Sequence, residues 1–218
     1  MAKVLVAERV VFLDMGEGRL TPGLAFLLAG FGLLGASAAI EAYLVLTGSF
    51  VGGILAGGDL TRLALVPWAL GLVFFGYALD HPEVLWDRTR GRRVLAAYLL
   101  FADGAVHLLA IGEHVDHLWA VAFFAVLAPL QLGSAWTLIR GGSGILRAWL
   151  FGAVGLILLY LASRTTELPL VGAEYRVEPL GIVSKALELI LVVVLIQELR
   201  SAQRTARGAN VRRPAAQS

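Results

Sequence analysis

The chain has 218 residues, 58% of them hydrophobic and only 16% charged, with a formal net charge of +2 and no cysteine; its mean hydropathy is +0.79. Soluble domains run near ~25% charged residues, so this composition excludes a water-soluble globular protein and points to an integral membrane chain. The absence of cysteine also excludes disulfides, thiolate metal sites and cysteine nucleophiles.

Residues 1–21 hold a short apolar run, Val4 to Val6 and Val10 to Leu13, broken by Glu8 and Arg9. It is too short to span and is not the unbroken apolar stretch of a signal peptide, so it reads as a cytoplasmic, interfacial N-terminal segment. Windows close to the ~20 apolar residues that cross a bilayer follow at 22–47, 63–80, 94–115, 118–139, 145–163 and 180–199. They predict an all-α polytopic membrane protein, a bundle of six transmembrane helices filling residues 22–199. The Arg-rich, Ala/Gln/Ser-containing stretch 200–218 reads as a basic, disordered cytoplasmic tail near anionic headgroups.

Thr21 and Pro22 supply an N-cap and a first-turn proline to span one. Gly32 and Ala36, and Gly35 and Ala39, stand four residues apart in it, a spacing that admits a neighbouring backbone and predicts an interior helix. Gly48 to Gly58 forms a glycine-rich outer loop, and Pro67 allows a kink in span two. The inner loop from Asp80 to Arg93 is the densest charge cluster, with Trp86 as an interface anchor. Few residues around Asp116 and His117 join spans three and four, which forces an antiparallel hairpin. Pro129 and Gln131 interrupt span four, and Gln131 is expected to bridge helices through hydrogen bonds. Arg140 to Gly144 is a tight inner turn, and the long outer segment Arg164 to Pro179 reads as a lid over the outer mouth. Trp119 and Tyr160, near span ends, read as interface anchors.

With both termini cytoplasmic, 14 of the 18 Lys and Arg residues fall on inner segments, and only Arg62, Arg164 and Arg176 fall outside, with Lys185 inside span six. The positive-inside rule therefore favours this topology, in the plasma membrane. The pI near 9.2 is then a topology signal. The tail carries no aromatic or motif support for nucleic acid. The expected partner is the lipid bilayer, and further subunits of a membrane complex or a homo-oligomer are compatible with the sequence.

Ionisable residues inside the spans carry the functional signal. At about 100° per residue, Asp103, His107, His114 and His117 fall within an arc of about 80° on a helix through span three. At about 1.5 Å per residue, His107 lies about 14 Å and Asp103 about 20 Å below the outer boundary, Glu41 about 9 Å, and Lys185 and Glu188 about 8 and 12 Å. No comparable group stands in the inner half. Charges at overlapping depths from spans one, three and six are expected to meet in the bundle interior, because each alone in lipid is costly. Asp103 and His107, one turn apart, form a deep site completed by Glu41 or Glu188, while Glu113, His114 and His117 form a shallower entry site. Nitrogen and carboxylate donors without thiolate suit a transition metal ion, copper or zinc foremost. A structural Asp–His hydrogen bond or a proton-handling pair satisfies the same spacing. Lys185 and Glu188, at i and i+3, are expected to form an ion pair, with Glu41 and Lys185 as the competing pair.

Four histidines, three of them in or beside span three, do not supply the opposed ligands of a bis-histidine haem. No phosphate loop, Gly-x-Ser-x-Gly elbow or His-Glu-x-x-His helix is present, so neither haem nor nucleotide is expected.

Glu113-His114, Phe123-Phe124, Gln131, Ser163-Arg164-Thr165, Leu168-Pro169, Glu178-Pro179-Leu180-Gly181 and Glu188 resemble a group of uncharacterised prokaryotic six-span membrane proteins, a resemblance that brings no activity with it. Asp103-x-x-x-His107 within a membrane helix is similar, over about fifteen residues, to the copper-binding helix of the C subunit of particulate methane and ammonia monooxygenases. In that family a further histidine follows; Ala120 stands at the corresponding place here, and His117 is the nearest substitute. The leading expectation is a metal-binding membrane protein with Asp103, His107, His114, His117, Glu41 and Glu188 as candidate ligands. A proton-coupled transporter and a non-catalytic accessory subunit are the alternatives, and the sequence does not decide whether the chain is an enzyme.

Overall fold

The computed structural model describes residues 20–47, 58–114, 117–166 and 179–211. The N-terminal segment through residue 19, the glycine-rich loop at 48–57, residues 115 and 116 between spans three and four, the outer segment at 167–178 and the end of the chain from 212 lie outside the described residues. All regular structure among the described residues is helical: α1 (Pro22–Leu46), α2 (Gly58–Asp80), a short 3-10 turn (Pro82–Leu85), α3 (Arg88–Glu113), α4 (Leu118–Arg140), α5 (Ser143–Thr165) and α6 (Pro179–Val211). Five helices hold stretches long and apolar enough to cross a bilayer, and α2 adds the shorter run Leu65–Asp80. The chain is thus an all-helical membrane bundle of about six helices.

The helix starts follow from local chemistry. The Thr21 hydroxyl accepts from the Leu24 N–H at 3.0 Å and donates to Asp80 Oδ2 at 2.9 Å, which caps α1 and ties it to the end of α2. Asp87 Oδ1 accepts from the N–H groups of Thr89 and Arg90 and caps α3. The α2 and α4 helices run continuously through Pro67 and Pro129. Beyond the expected span end at 199, α6 continues to Val211. Ala202, Gln203, Arg204 and Ala206 are good helix formers, so the start of the expected tail prolongs the helix.

The centre of the bundle is α3, whose apolar window is 72% buried against 11% for α1. It packs on α4 and α6, while α5 packs on α6 and α1 on α2. Among the described residues α1 touches α3 weakly and α6 not at all. The expectation of an interior first span is therefore corrected. Gly32 and Gly35 face open space, and close approach occurs instead at Gly30, where a Cβ would stand 2.6 Å from the Ala69 carbonyl oxygen. A helix apolar on every side offers no polar face to say which side is packed.

Two apolar clusters hold the bundle together. One, with Leu100, Leu138, Leu146, Leu191 and Leu195, joins α3, α4, α5 and α6; the other, with Val66, Leu70, Val106, Leu109 and Leu180, joins α2, α3 and α6. At the end of the bundle that carries the C-terminus of α6, the buried Glu198 carboxylate accepts from Arg92 Nε at 3.3 Å and Arg93 Nε at 2.9 Å. Arg93 also donates to the Gly141 carbonyl at 3.3 Å, and Arg92 to the Ser201 hydroxyl at 3.1 Å. The half of the bundle expected to hold no buried charge thus contains an ion cluster that clamps α3, α6 and the α4–α5 turn.

Candidate functional site

Asp103 and His107 lie one turn apart on α3, and Ser184 and Glu188 one turn apart on α6, all four buried. Facing them from α4 is Gln131, also buried. The approach of α4 depends on Gly104, where a Cβ would come within 3.0 Å of Gln131 Cβ and 3.1 Å of the Leu132 backbone nitrogen. The small residue between Asp103 and Ala105 thus brings the Gln131 amide within reach of both α3 side chains.

Hydrogen bonding orients every member. A carboxylate only accepts, so Gln131 presents Nε2 to Asp103 Oδ2, at 2.6 Å. Its Oε1 then faces His107 Nδ1 at 2.8 Å, and because an amide oxygen only accepts, Nδ1 carries the proton. His107 Nε2 is thereby directed at α6, 3.2 Å from Ser184 Oγ and 4.0 Å from Glu188 Oε1. The His107 ring stacks on Phe124, with centroids 5.4 Å apart at 23°. Lys185 pairs with Glu188 Oε1, the expected i, i+3 ion pair.

Counting protons and charges exposes a deficit. Ser184 has one hydroxyl hydrogen and three acceptors around it: Asp103 Oδ1 at 2.7 Å, His107 Nε2 at 3.2 Å and Glu188 Oε1 at 3.4 Å. The shortest contact goes to Asp103, which leaves Nε2 facing an oxygen whose proton is committed elsewhere. Glu188 Oε2 is buried with no hydrogen-bond partner. Two carboxylates face one ammonium, so with a neutral imidazole the group is one positive charge short. In a low-dielectric interior an uncompensated charge of this kind costs several kcal/mol. A cation placed among these groups removes both deficits.

Asp103, His107 and Glu188 each offer a ligand atom within 4.8 Å of the others, and all three residues are buried; this is the one such group found among the described residues. Of the expected candidates, the structure unites these three. Glu41 falls within α1, but its side chain, like that of Glu113, lies outside the described residues. His114 ends α3 as its C-cap, with Nδ1 2.9 Å from the Ala110 carbonyl. His117 is exposed and is the N-cap of α4. The single stripe expected to run from Asp103 to His117 therefore breaks, because α3 stops at Glu113 before His117 is reached. Neither His114 nor His117 joins the buried group; both line a neighbouring cavity.

Ser184 is the member the sequence did not mark. A hydroxyl in a membrane helix can bond its own preceding turn at little cost, so nothing in the chain distinguishes it from Ser134, which bonds the Leu130 carbonyl. The signal available was its position, four residues before Glu188 and on the same face.

Comparison with protein-family models, with curated proteins and with solved structures finds no match for this chain.

Proposed function

We propose that this integral membrane protein binds a transition metal ion, copper or zinc, between α3 and α6, with Asp103, His107 and Glu188 as its ligands. The observation that carries the reading is Glu188 Oε2, a buried oxygen with no hydrogen-bond partner, beside a His107 Nε2 whose one contact, Ser184 Oγ, directs its shortest bond to Asp103, in a buried group short of one positive charge. The Gln131 contact supports it further: a metal-bound histidine donates its other ring N–H to a fixed acceptor, which sets the tautomer and aims the free nitrogen. Nitrogen and oxygen donors without thiolate suit copper(II) and zinc. The Asp103-x-x-x-His107 spacing, similar to the copper-binding helix of the monooxygenase C subunits, favours copper, with Glu188 from another helix in place of that family's further histidine.

Lys185 favours a second reading. An ammonium already against Glu188 Oε1 lowers the attraction for a divalent ion, and a single proton also closes the charge count. The group then serves as a proton-accepting station within the membrane.

Elemental analysis of protein purified in detergent and incubated with copper or zinc separates the two. The metal reading expects about one equivalent bound to the wild type and background levels in His107→Ala and Glu188→Gln. Background metal in the wild type overturns it and leaves the proton reading.

A further inference from the structure

At the end of the bundle that carries the C-terminus of α6, positive charge is in surplus. Arg92 and Arg93 share the one carboxylate of Glu198, each on its own oxygen. Arg92 spends Nε on Glu198 and Nη2 on Ser201, while Arg93 spends Nε on Glu198 and Nη1 on the Gly141 carbonyl. A guanidinium has further donors, and Arg92 Nη1 and Arg93 Nη2 make no hydrogen bond among the described residues. The acid is 3% exposed and the two arginines 30% and 29%, so the pair turns one side to a buried charge and the other outward.

The other acids of this end are already committed. Asp80 accepts from Thr21, Asp87 caps α3 and Glu83 pairs with Arg90. Arg140, Arg147, Arg200 and Arg204 are exposed and form no ion pair among the described residues. Two of them adjoin the clamp in the chain: Arg140 precedes Gly141, which Arg93 holds, and Arg200 precedes Ser201, which Arg92 holds. The level is that of a membrane boundary, because the Arg140 guanidinium carbon lies 4.8 Å from the ring of an exposed Trp136 one turn inward. Although a tight turn joins them, α4 and α5 pack on α3 and α6 rather than on each other. Both expose apolar side chains, Trp136 and Leu130 on α4, Ile145 and Phe151 on α5.

We propose that Arg92 and Arg93 form a binding site for one anionic phospholipid, its phosphodiester on Arg92 Nη1 and Arg93 Nη2 and an acyl chain along α4 and α5. A phosphodiester carries a single negative charge, which cancels the excess of two guanidinium groups over one carboxylate, and its oxygens suit the planar guanidinium fork. The site is separate from the metal reading, since Arg93 stands about 15 Å along α3 from Asp103.

Native mass spectrometry of the full chain in detergent tests it, with phosphatidylglycerol, the zwitterionic phosphatidylcholine and sn-glycerol 3-phosphate as probes. About one equivalent of phosphatidylglycerol is expected to bind saturably, with phosphatidylcholine about fivefold weaker or more because its choline cation offsets the phosphate. Arg92→Gln leaves Glu198 paired to Arg93 and is expected to weaken phosphatidylglycerol about tenfold, the loss of a hydrogen bond between charged groups. Arg147→Gln removes a screened charge outside the site, for a loss of about twofold or less. Equal binding of the two lipids, equal losses in Arg92→Gln and Arg147→Gln, or sn-glycerol 3-phosphate bound as tightly as phosphatidylglycerol overturns the proposal. Should Arg92→Gln not fold, the three probes on the wild type still decide.

Discussion

Gln131 Oε1 lies 2.8 Å from His107 Nδ1, and this one contact sets the proton position on a ring whose other nitrogen faces a different helix. The same amide holds Asp103 Oδ2 at 2.6 Å, so a residue with no charge of its own orients both ionisable side chains of α3. Gln131→Leu keeps the volume and removes both contacts, stranding two buried polar groups at about 1–3 kcal/mol each. The variant is expected to unfold at lower denaturant, measured by loss of helical signal in detergent. If the metal reading holds, its metal affinity falls about 10–100-fold as well, because the imidazole is no longer oriented. Gln131→Glu separates the effects: it keeps an acceptor for Nδ1 but sets a carboxylate against Asp103.

Lys185 and Glu188 form an ion pair whose acid is fully buried and whose base reaches the cavity wall. Removing the ammonium alone, in Lys185→Met, leaves Glu188 and Asp103 buried with no cation, and breaking a buried pair this way costs about 3–5 kcal/mol. Neutralising the acid in the same chain, Lys185→Met with Glu188→Gln, is expected to restore most of the loss. The check is a double-mutant cycle on thermal unfolding. Additive effects of the two substitutions would mean that they do not interact.

Much of this centre was legible because the membrane makes ionisable residues conspicuous. Asp103, His107, Lys185 and Glu188 stood out of apolar runs, and helical rise alone put spans three and six at overlapping depths. The bridging role of Gln131 followed from the same cost of an unpaired amide in lipid. Besides Ser184, three things were not legible. The packed face of α1 was hidden because that helix is apolar all round, so its Gly32 and Gly35 pointed to a contact that Gly30 makes instead. The stripe through His117 assumed that α3 continues, whereas its backbone ends at Glu113. Glu198 lies near the end of a span, where sequence alone does not separate a hydrated carboxylate from a buried one, and only the tertiary approach of α3 brings two arginines to it.

That cluster predicts an ordering. Glu198 has 3% of its side chain exposed, whereas Arg92 and Arg93 keep 30% and 29%. Arg92→Ala leaves the acid paired to Arg93 and is expected to cost about 1 kcal/mol or less. Glu198→Ala costs more, about 1–2 kcal/mol, softened because the freed guanidinium groups reach water. Arg92→Ala with Arg93→Ala strands a buried carboxylate and costs about 3 kcal/mol or more, well above the sum of the single losses. Unfolding midpoints of these chains and of Arg93→Ala, measured with the wild type in one detergent, read the order directly.

The connection between α2 and α3 is expected to weaken in acid. Glu83 stands outside the spans, 2.8 Å from Arg90 Nη1 and 3.5 Å from His81 Nδ1. A hydrogen bond to its carboxylate from its own backbone, and then the charges of Arg90 and His81, hold its pKa below the ordinary value. A carboxyl depressed on folding contributes stability that is fully present above its unfolded value, near ~4.3, and that is lost as pH falls through the folded value. Wild type and Glu83→Gln should therefore differ most at neutral pH and converge in acid, with the convergence confined to the region below about pH 5. Amide exchange of the Pro82–Leu85 turn, followed in both chains across that range, measures it; a difference that persists unchanged to the lowest pH would show that the Glu83 charge does not hold the turn.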